Sequence, residues 1–202
     1  MKLLRLPALL AVLMLSGCAT APKFTTSVAD TQARISSVYI YSFLDLREKE
    51  LGPRNIAALE RQLAETLTNH GVRNKQLWFT RAPVREEIAL NEKKKGNWFL
   101  DLGTSVRVPV NEVIASNAED EKAFGPQCRL VVFPVSTTQT STGMSFQMRW
   151  ILAEVESGKV LWSATSNTNN MNMWKADEYP EERAAMLVDG LVKELLRVGV
   201  FK

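Results

Sequence analysis

Between Val38 and Gly71 the chain sets down a strand and then a helix, each with apolar side chains to bury, and this pairing limits the fold more than any other stretch. Val38-Tyr39-Ile40-Tyr41-Ser42-Phe43-Leu44 is β-branched and aromatic, as a mostly buried strand requires, and it stops at Asp45. Gly52-Pro53 opens the helix, with Pro53 at the first position, where a missing N–H costs nothing. Ile56, Leu59, Leu63 and Leu67 recur at helical spacing, Arg61, Gln62 and Glu65 face away, and Gly71 supplies the stop. A helix with one apolar stripe beside a buried strand predicts a helix layer packed on a sheet.

The rest of the chain adds more strands than helices. A second strand is expected around Gln76 to Thr80, centred on Leu77-Trp78-Phe79. Pro83 to Lys95 reads as a short charged helix, with Glu86-Glu87 ahead of Lys93-Lys94-Lys95 as the helix dipole favours. Pro109 to Phe124 reads as another, with Val110, Val113, Ile114 and Ala118 on one side and Gly125-Pro126 as terminator. Leu130 to Val135 is a hydrophobic strand in which Pro134 requires an edge or a bulge. Met144, Phe146, Met148, Trp150 and Leu152 form the apolar face of a period-two strand, Glu156-Ser157-Gly158-Lys159 turns it, and Val160, Trp162 and Ala164 begin the return. This hairpin is expected to set Trp150 against Trp162. Pro180-Glu181-Glu182 starts a last helix whose Ala184, Leu187, Val188, Leu191 and Leu195 share a face. The expectation is an α+β domain with a mixed or largely antiparallel sheet of about five strands packed with helices, in the order β-α-β-α-α-β-β-β-α.

The amino terminus is of a different kind. Lys2 and Arg5 precede an apolar stretch, Pro7 to Leu15, too short for the roughly 20 residues a bilayer span needs. Leu15-Ser16-Gly17-Cys18 then resembles the bacterial lipobox, which implies cleavage before Cys18 and diacylglycerol on its sulfur. Residues 1–17 are read as a lipoprotein signal peptide, residues 18–34 as the lipidated cysteine and a flexible tether, and residues 35–202 as one globular domain. A coil of about 16 residues has a root-mean-square reach of roughly 20–24 Å. The resemblance also implies outer-membrane placement, because Ala19 and not Asp follows the cysteine, with the domain facing the periplasm.

Without its signal the chain has little net charge. Of 25 basic residues, Lys2 and Arg5 leave with the signal, against 22 acidic ones. The remaining balance of about +1 gives no electrostatic case for nucleic acid. Cys128, with Cys18 consumed by lipid, has no intrachain partner and is expected in a strand as a small hydrophobe.

The order of elements resembles the fold shared by the TolB N-terminal domain, the curli-secretion lipoproteins and the lipoprotein activators of penicillin-binding proteins. The strand Val38 to Leu44 with its helix ending in Gly71, the strand Arg129 to Val135 after a helix, and the hairpin Leu152 to Ser163 bearing Trp162 carry the resemblance. It implies a binder or assembly part, and hence an envelope protein partner in place of a substrate.

Catalytic chemistry finds little support in the residues. The single histidine, His70, sits in the last turn of the first helix, where the dipole welcomes it as a cap. One His gives no His-based metal cluster, phosphate-loop spacings are absent, and Glu86-Glu87, Glu119-Asp120-Glu121 and Glu181-Glu182 suit helix starts and solvated faces. The reading is therefore of a protein that is not an enzyme, with no catalytic residues, no metal site and no cofactor. Met171, Met173, Trp174 and Tyr179 are the candidate partner-binding residues, apolar side chains in an Asn-rich stretch ending at Pro180. Met171 and Met173 beside Trp174 also raise periplasmic Cu(I) binding as an alternative. A further alternative, a subunit of an oligomeric secretion or surface-assembly complex, draws on the apolar knot Trp98, Phe99, Leu100 and Leu102. Sequence leaves the oligomeric state open. The leading reading is a lipid-anchored envelope protein, held to the membrane through Cys18, that binds or assembles an envelope partner.

Overall fold

The computed structural model describes residues 22–30, 34–44, 53–78, 110–140, 143–168 and 180–201. Among them are six strands, β1 (Lys23–Ala29), β2 (Ser37–Ser42), β3 (Arg73–Trp78), β4 (Cys128–Thr140), β5 (Gly143–Glu154) and β6 (Val160–Thr168). Four helices accompany them: α1 (Pro53–Asn69), α2 (Val110–Ser116), α3 (Ala118–Phe124) and α4 (Pro180–Arg197). The fold is α+β, and the strands make one mixed sheet in the order β1-β6-β5-β4-β2-β3. β2 pairs in parallel with both β3 and β4, and the other pairings are antiparallel.

β2 shows why Ser37 to Leu44 carries no charged residue. All six of its residues are buried, because helices cover both faces of the sheet there. On one face Val38 and Ile40 join Leu130, Val132, Trp150, Leu152 and Trp162 beneath Leu59, Leu63 and Leu67 of α1 and Leu187, Leu191 and Leu195 of α4. On the other, Tyr39, Tyr41 and Phe43 meet Val131 and Phe133 beneath Val110, Val113, Ile114 and Phe124 of α2 and α3. The stripes of α1 and α4 and the Met148, Trp150, Leu152 face of β5 are buried as their periodicity predicts, whereas on the side expected over Pro109–Phe124 Val110 is buried, Val113 and Ile114 are half-buried and Ala118 is exposed. Cys128 opens β4 fully buried as a free thiol, and its pKa is pushed up to about 11 by burial and then by the nearby Glu154.

Pro134 lies beyond the last β2 pair, Ser42 with Val132, and the β4–β5 register slips between Pro134 and Ser136. The bulge expected at this proline is present inside the sheet, where β4 has lost one neighbour and needs no N–H on that side.

Four expectations are corrected. The stretch read as a flexible tether contains β1, an edge strand antiparallel to β6, so the sheet has six strands among the described residues, the first of them starting at Lys23. The helix expected over Pro109–Phe124 is two, divided at Asn117, whose φ of −108° leaves the helical region while its Nδ2 donates to Val113 O at 2.8 Å. Trp150 faces Ala164, and Trp162 faces Leu152, so the two indoles are diagonal neighbours on one face and not a direct pair. The second strand starts at Arg73, earlier than Gln76, because it is drawn alongside Ser37 at the start of β2. The charged helix expected over Pro83–Lys95 and the knot at Trp98–Leu102 lie outside the described residues.

β2, β3, β4 and β6 all run in one direction and finish at one end, the carboxyl end of the sheet. β1 starts there, with Lys23 beside Asn167. α4 runs the same way as β1, since Gly190 and Glu194 along it, and Gly199 just past its end, meet Pro22, Thr26 and Arg34 in turn. The Glu156–Lys159 turn lies at the opposite, amino end, closed by Gly158 N–H to Glu154 O at 3.0 Å with Gly158 at a φ of 70°.

Candidate functional site

Cys18, Met171, Met173, Trp174 and Tyr179 lie outside the described residues. The described elements that flank the last four, Thr168 at the end of β6 and Pro180 at the start of α4, both stand at the carboxyl end of the sheet. That is also the end at which the chain following Cys18 enters β1.

The way β1 is fastened is the feature that sequence reading missed. Pro22 and Phe24 cross α4 at Gly190, where a Cβ would stand 3.1 Å from Pro22 Cγ and 3.2 Å from Phe24 Cε2. The Phe24 ring then reaches Trp150, with centroids 6.1 Å apart. Two residues on, the Thr26 hydroxyl donates to the Glu194 carboxylate, which also takes Nε and Nη2 of Arg197 at 2.8 and 2.6 Å. The Arg197 hydrogen bonds, aided by Thr26, hold the Glu194 carboxyl below the usual carboxylate range against the opposing effect of burial. At the far end of the strand Asp30 N donates to Leu161 O, and Lys159 Nζ meets the Asp30 carboxylate at 2.7 Å. Glycine in mid-helix costs about 1 kcal/mol relative to alanine. Gly190 was the available signal, since a helix that accepts that cost commonly does so to let another segment approach.

A group of ionisable side chains lies on the other face of the sheet. Tyr39 Oη donates to Asp120 at 2.6 Å, and Lys75 Nζ meets the other oxygen of that carboxylate at 2.6 Å. One step along, Tyr41 Oη donates to Glu121 at 3.3 Å, and Arg129 grips the same carboxylate through Nε at 2.8 Å and Nη2 at 2.5 Å. Both phenols are harder to ionise than free tyrosine. Burial is the main cause, followed by Asp120 for Tyr39 and by Glu121 for Tyr41, whose pKa is pushed up to about 12. Asp120 is held below the usual range by Lys75 first and Tyr39 second. The protonated phenols donate, and the Asp120 and Glu121 carboxylates accept. The arrangement pins α3 to β2, β3 and β4, and its chemistry is that of a strut.

A cleft lined by Ile40, Ser42, Leu44, Leu59, Leu63, Trp78 and Trp150 reaches the carboxyl end, with about 10 Å³ of free volume. That is room for about one water. The buried Ser42 Oγ has no hydrogen-bond partner there, and the rest of that lining is apolar apart from the Trp78 indole, whose Nε1 donates to Gln76. Among the described residues no group of three or more His, Cys, Asp or Glu could hold a metal, and no helix is long and apolar enough to cross a membrane. The His70 ring stacks on Phe201 with centroids 5.7 Å apart.

No protein-family model and no curated protein matches the chain. Among solved structures, the PelC dodecamer of Paraburkholderia phytofirmans is similar at 16% identity, with 90% of this chain and 99% of that chain covered and a TM-score of 0.47. Lipoprotein GNA1162 of Neisseria meningitidis is similar at 16% identity, with 80% and 99% covered and a TM-score of 0.38. At these scores the likenesses carry no functional weight, and the reading below is built on this chain's own residues.

Proposed function

We propose that this protein is a lipid-anchored component of the bacterial outer membrane, its domain on the periplasmic side, that acts by binding an envelope partner and not by catalysis. The observation that carries the reading is the closeness of two features: Leu15-Ser16-Gly17-Cys18 and, four residues after that cysteine, a proline already packed against the domain. An acyl group on Cys18 attaches the folded body itself to the membrane. Anchoring raises the local concentration of the domain beside any partner confined to the same surface, which strengthens occupancy without new contacts. The tyrosine–carboxylate group supports a non-catalytic role, because its polar atoms are spent on one another.

Metabolic labelling with an alkyne palmitate analogue tests the anchor, and chemical crosslinking in intact envelopes tests the binding role. Label and membrane sedimentation are expected for the parent and lost in Cys18→Ala. A crosslinked partner is expected above that control, and its absence would count against the binder.

A second reading, a subunit of an oligomeric envelope assembly, is favoured by one observation. β3 ends the strand order, pairing among the described strands with β2 alone, and an edge strand is the place at which a second chain can add a strand. Light scattering on detergent-purified protein decides it, since a strictly monomeric mass ends this reading.

A further inference from the structure

We propose that the carboxyl end of the sheet is the lipid-facing surface of this protein, and that the amino end is turned away from the membrane. The inference rests on the lipid-anchored reading and deepens it. Pro22 is fixed against Gly190, and Cys18 is four residues earlier. A chain covers at most about 3.6 Å per residue, so the acylated residue stays within about 14 Å of Pro22. Lys23 is level with Asn167, and β6 begins at Val160, so the sheet extends seven residues from the entry point to the opposite end. At about 3.3 Å per residue that is roughly 23 Å. A linker of about 14 Å cannot double back over 23 Å. The Glu156–Lys159 turn therefore cannot reach the plane of the headgroups while the carboxyl end points away.

The strand cannot lengthen the linker at little cost. Peeling β1 from β6 means removing Phe24 from Trp150, Thr26 from Glu194 and Asp30 from Lys159 as well as breaking the ladder. The exposed residues of the amino end, the Glu156–Lys159 turn with His70, Gly71 and Arg197, then face the periplasm and are left for a partner there.

The test uses full-length acylated protein in phosphatidylcholine vesicles containing a headgroup-nitroxide lipid. Lys23→Cys and Glu156→Cys place a bimane label at either end on exposed residues, and the native Cys128 is buried from the reagent. Quenching several-fold stronger at position 23 than at position 156 is expected. Equal quenching at both positions, or stronger quenching at 156, in protein that floats with the vesicles overturns the orientation alone. Protein that does not float overturns the lipid anchor and the orientation with it.

Discussion

Gly190 and Pro22 touch where α4 passes under the start of β1, so closely that the smallest side chain at position 190 would stand 3.1 Å from the proline ring. The contact joins the last helix of the chain to its first strand. It makes the amino-terminal segment part of the core, with the Phe24 ring lying on the same cluster as Trp150 and Leu187.

Gly190→Leu should free β1 without unfolding the domain. The new side chain must displace Pro22 and Phe24, an overpacking cost of about 1–3 kcal/mol, while the helix itself gains up to about 1 kcal/mol from losing a glycine. Amide exchange measured by mass spectrometry should rise across residues 22–30, with β4 and β5 still protected. Gly190→Ala should keep β1 in place, because its Cβ asks for a shift of only a few tenths of an ångström.

Acid should loosen the same strand. The folded-state pKa of Glu194 is depressed, with the Arg197 hydrogen bonds as the largest cause and Thr26 a smaller one. Its contribution is therefore complete above the ordinary value of 4.5 and is lost as pH falls through the lower folded value. Exchange in residues 22–30 should increase below about pH 4.5 relative to the strands of the core. Glu194→Gln should show the loosened strand already at neutral pH and a flatter response to acid. An identical pH profile in the two proteins would exclude this carboxylate as the cause.

The elements that the sequence announced are those with one strong period and no competing partner. α1 and α4 carry long apolar stripes, and β5 alternates cleanly because one face is core. β1 was missed because Lys23-Phe24-Thr25-Thr26-Ser27-Val28-Ala29 is an edge strand: Phe24 and Thr26 point inward, and the rest is exposed and polar enough to pass for coil. Asn117 divided a helix through a side-chain hydrogen bond that hydrophobic periodicity does not register. The Trp150–Trp162 offset is two residues, of which the register slip between Leu152 and Ala153 supplies one and the length of the turn the other, and alternation alone locates neither. Cys18 was legible as a motif, whereas the fastening of the chain just after it depends on Gly190, 168 positions downstream of Pro22. The tyrosine–carboxylate group was illegible for the same reason, since Glu121 and Tyr41 meet only through the fold.

The Glu121–Arg129 pair should behave as a buried ion pair does. Glu121 is 3% exposed and meets Arg129 through two hydrogen bonds. Arg129→Ala strands a carboxylate beside Tyr41 and should cost about 3 kcal/mol in urea unfolding, whereas Glu121→Met with Arg129→Met should recover most of that loss. Recovery in the double variant separates an unpaired-charge penalty from a packing loss, which the double substitution would not repair.

Removal of residues 200–202 should cost more than the loss of a chain end suggests. Val200 is fully buried, and Phe201, 6% exposed, belongs to the main cluster and stacks on His70. Val200 N and Phe201 N both donate to Leu195 O, folding the terminus back over the last turn of α4 with Gly199 at a φ of 77°. Burial of an aromatic side chain in a packed core is worth about 3–5 kcal/mol on truncation to alanine, and the last valine adds to this. The truncated chain should unfold at a clearly lower urea midpoint, and Phe201→Ala alone should account for most of the shift. Because His70 and Phe201 lie at the amino end of the sheet, far from Gly190, protection of β1 should fall only in step with global stability. A selective loss at residues 22–30 would mean that the two ends of the sheet are coupled through α4.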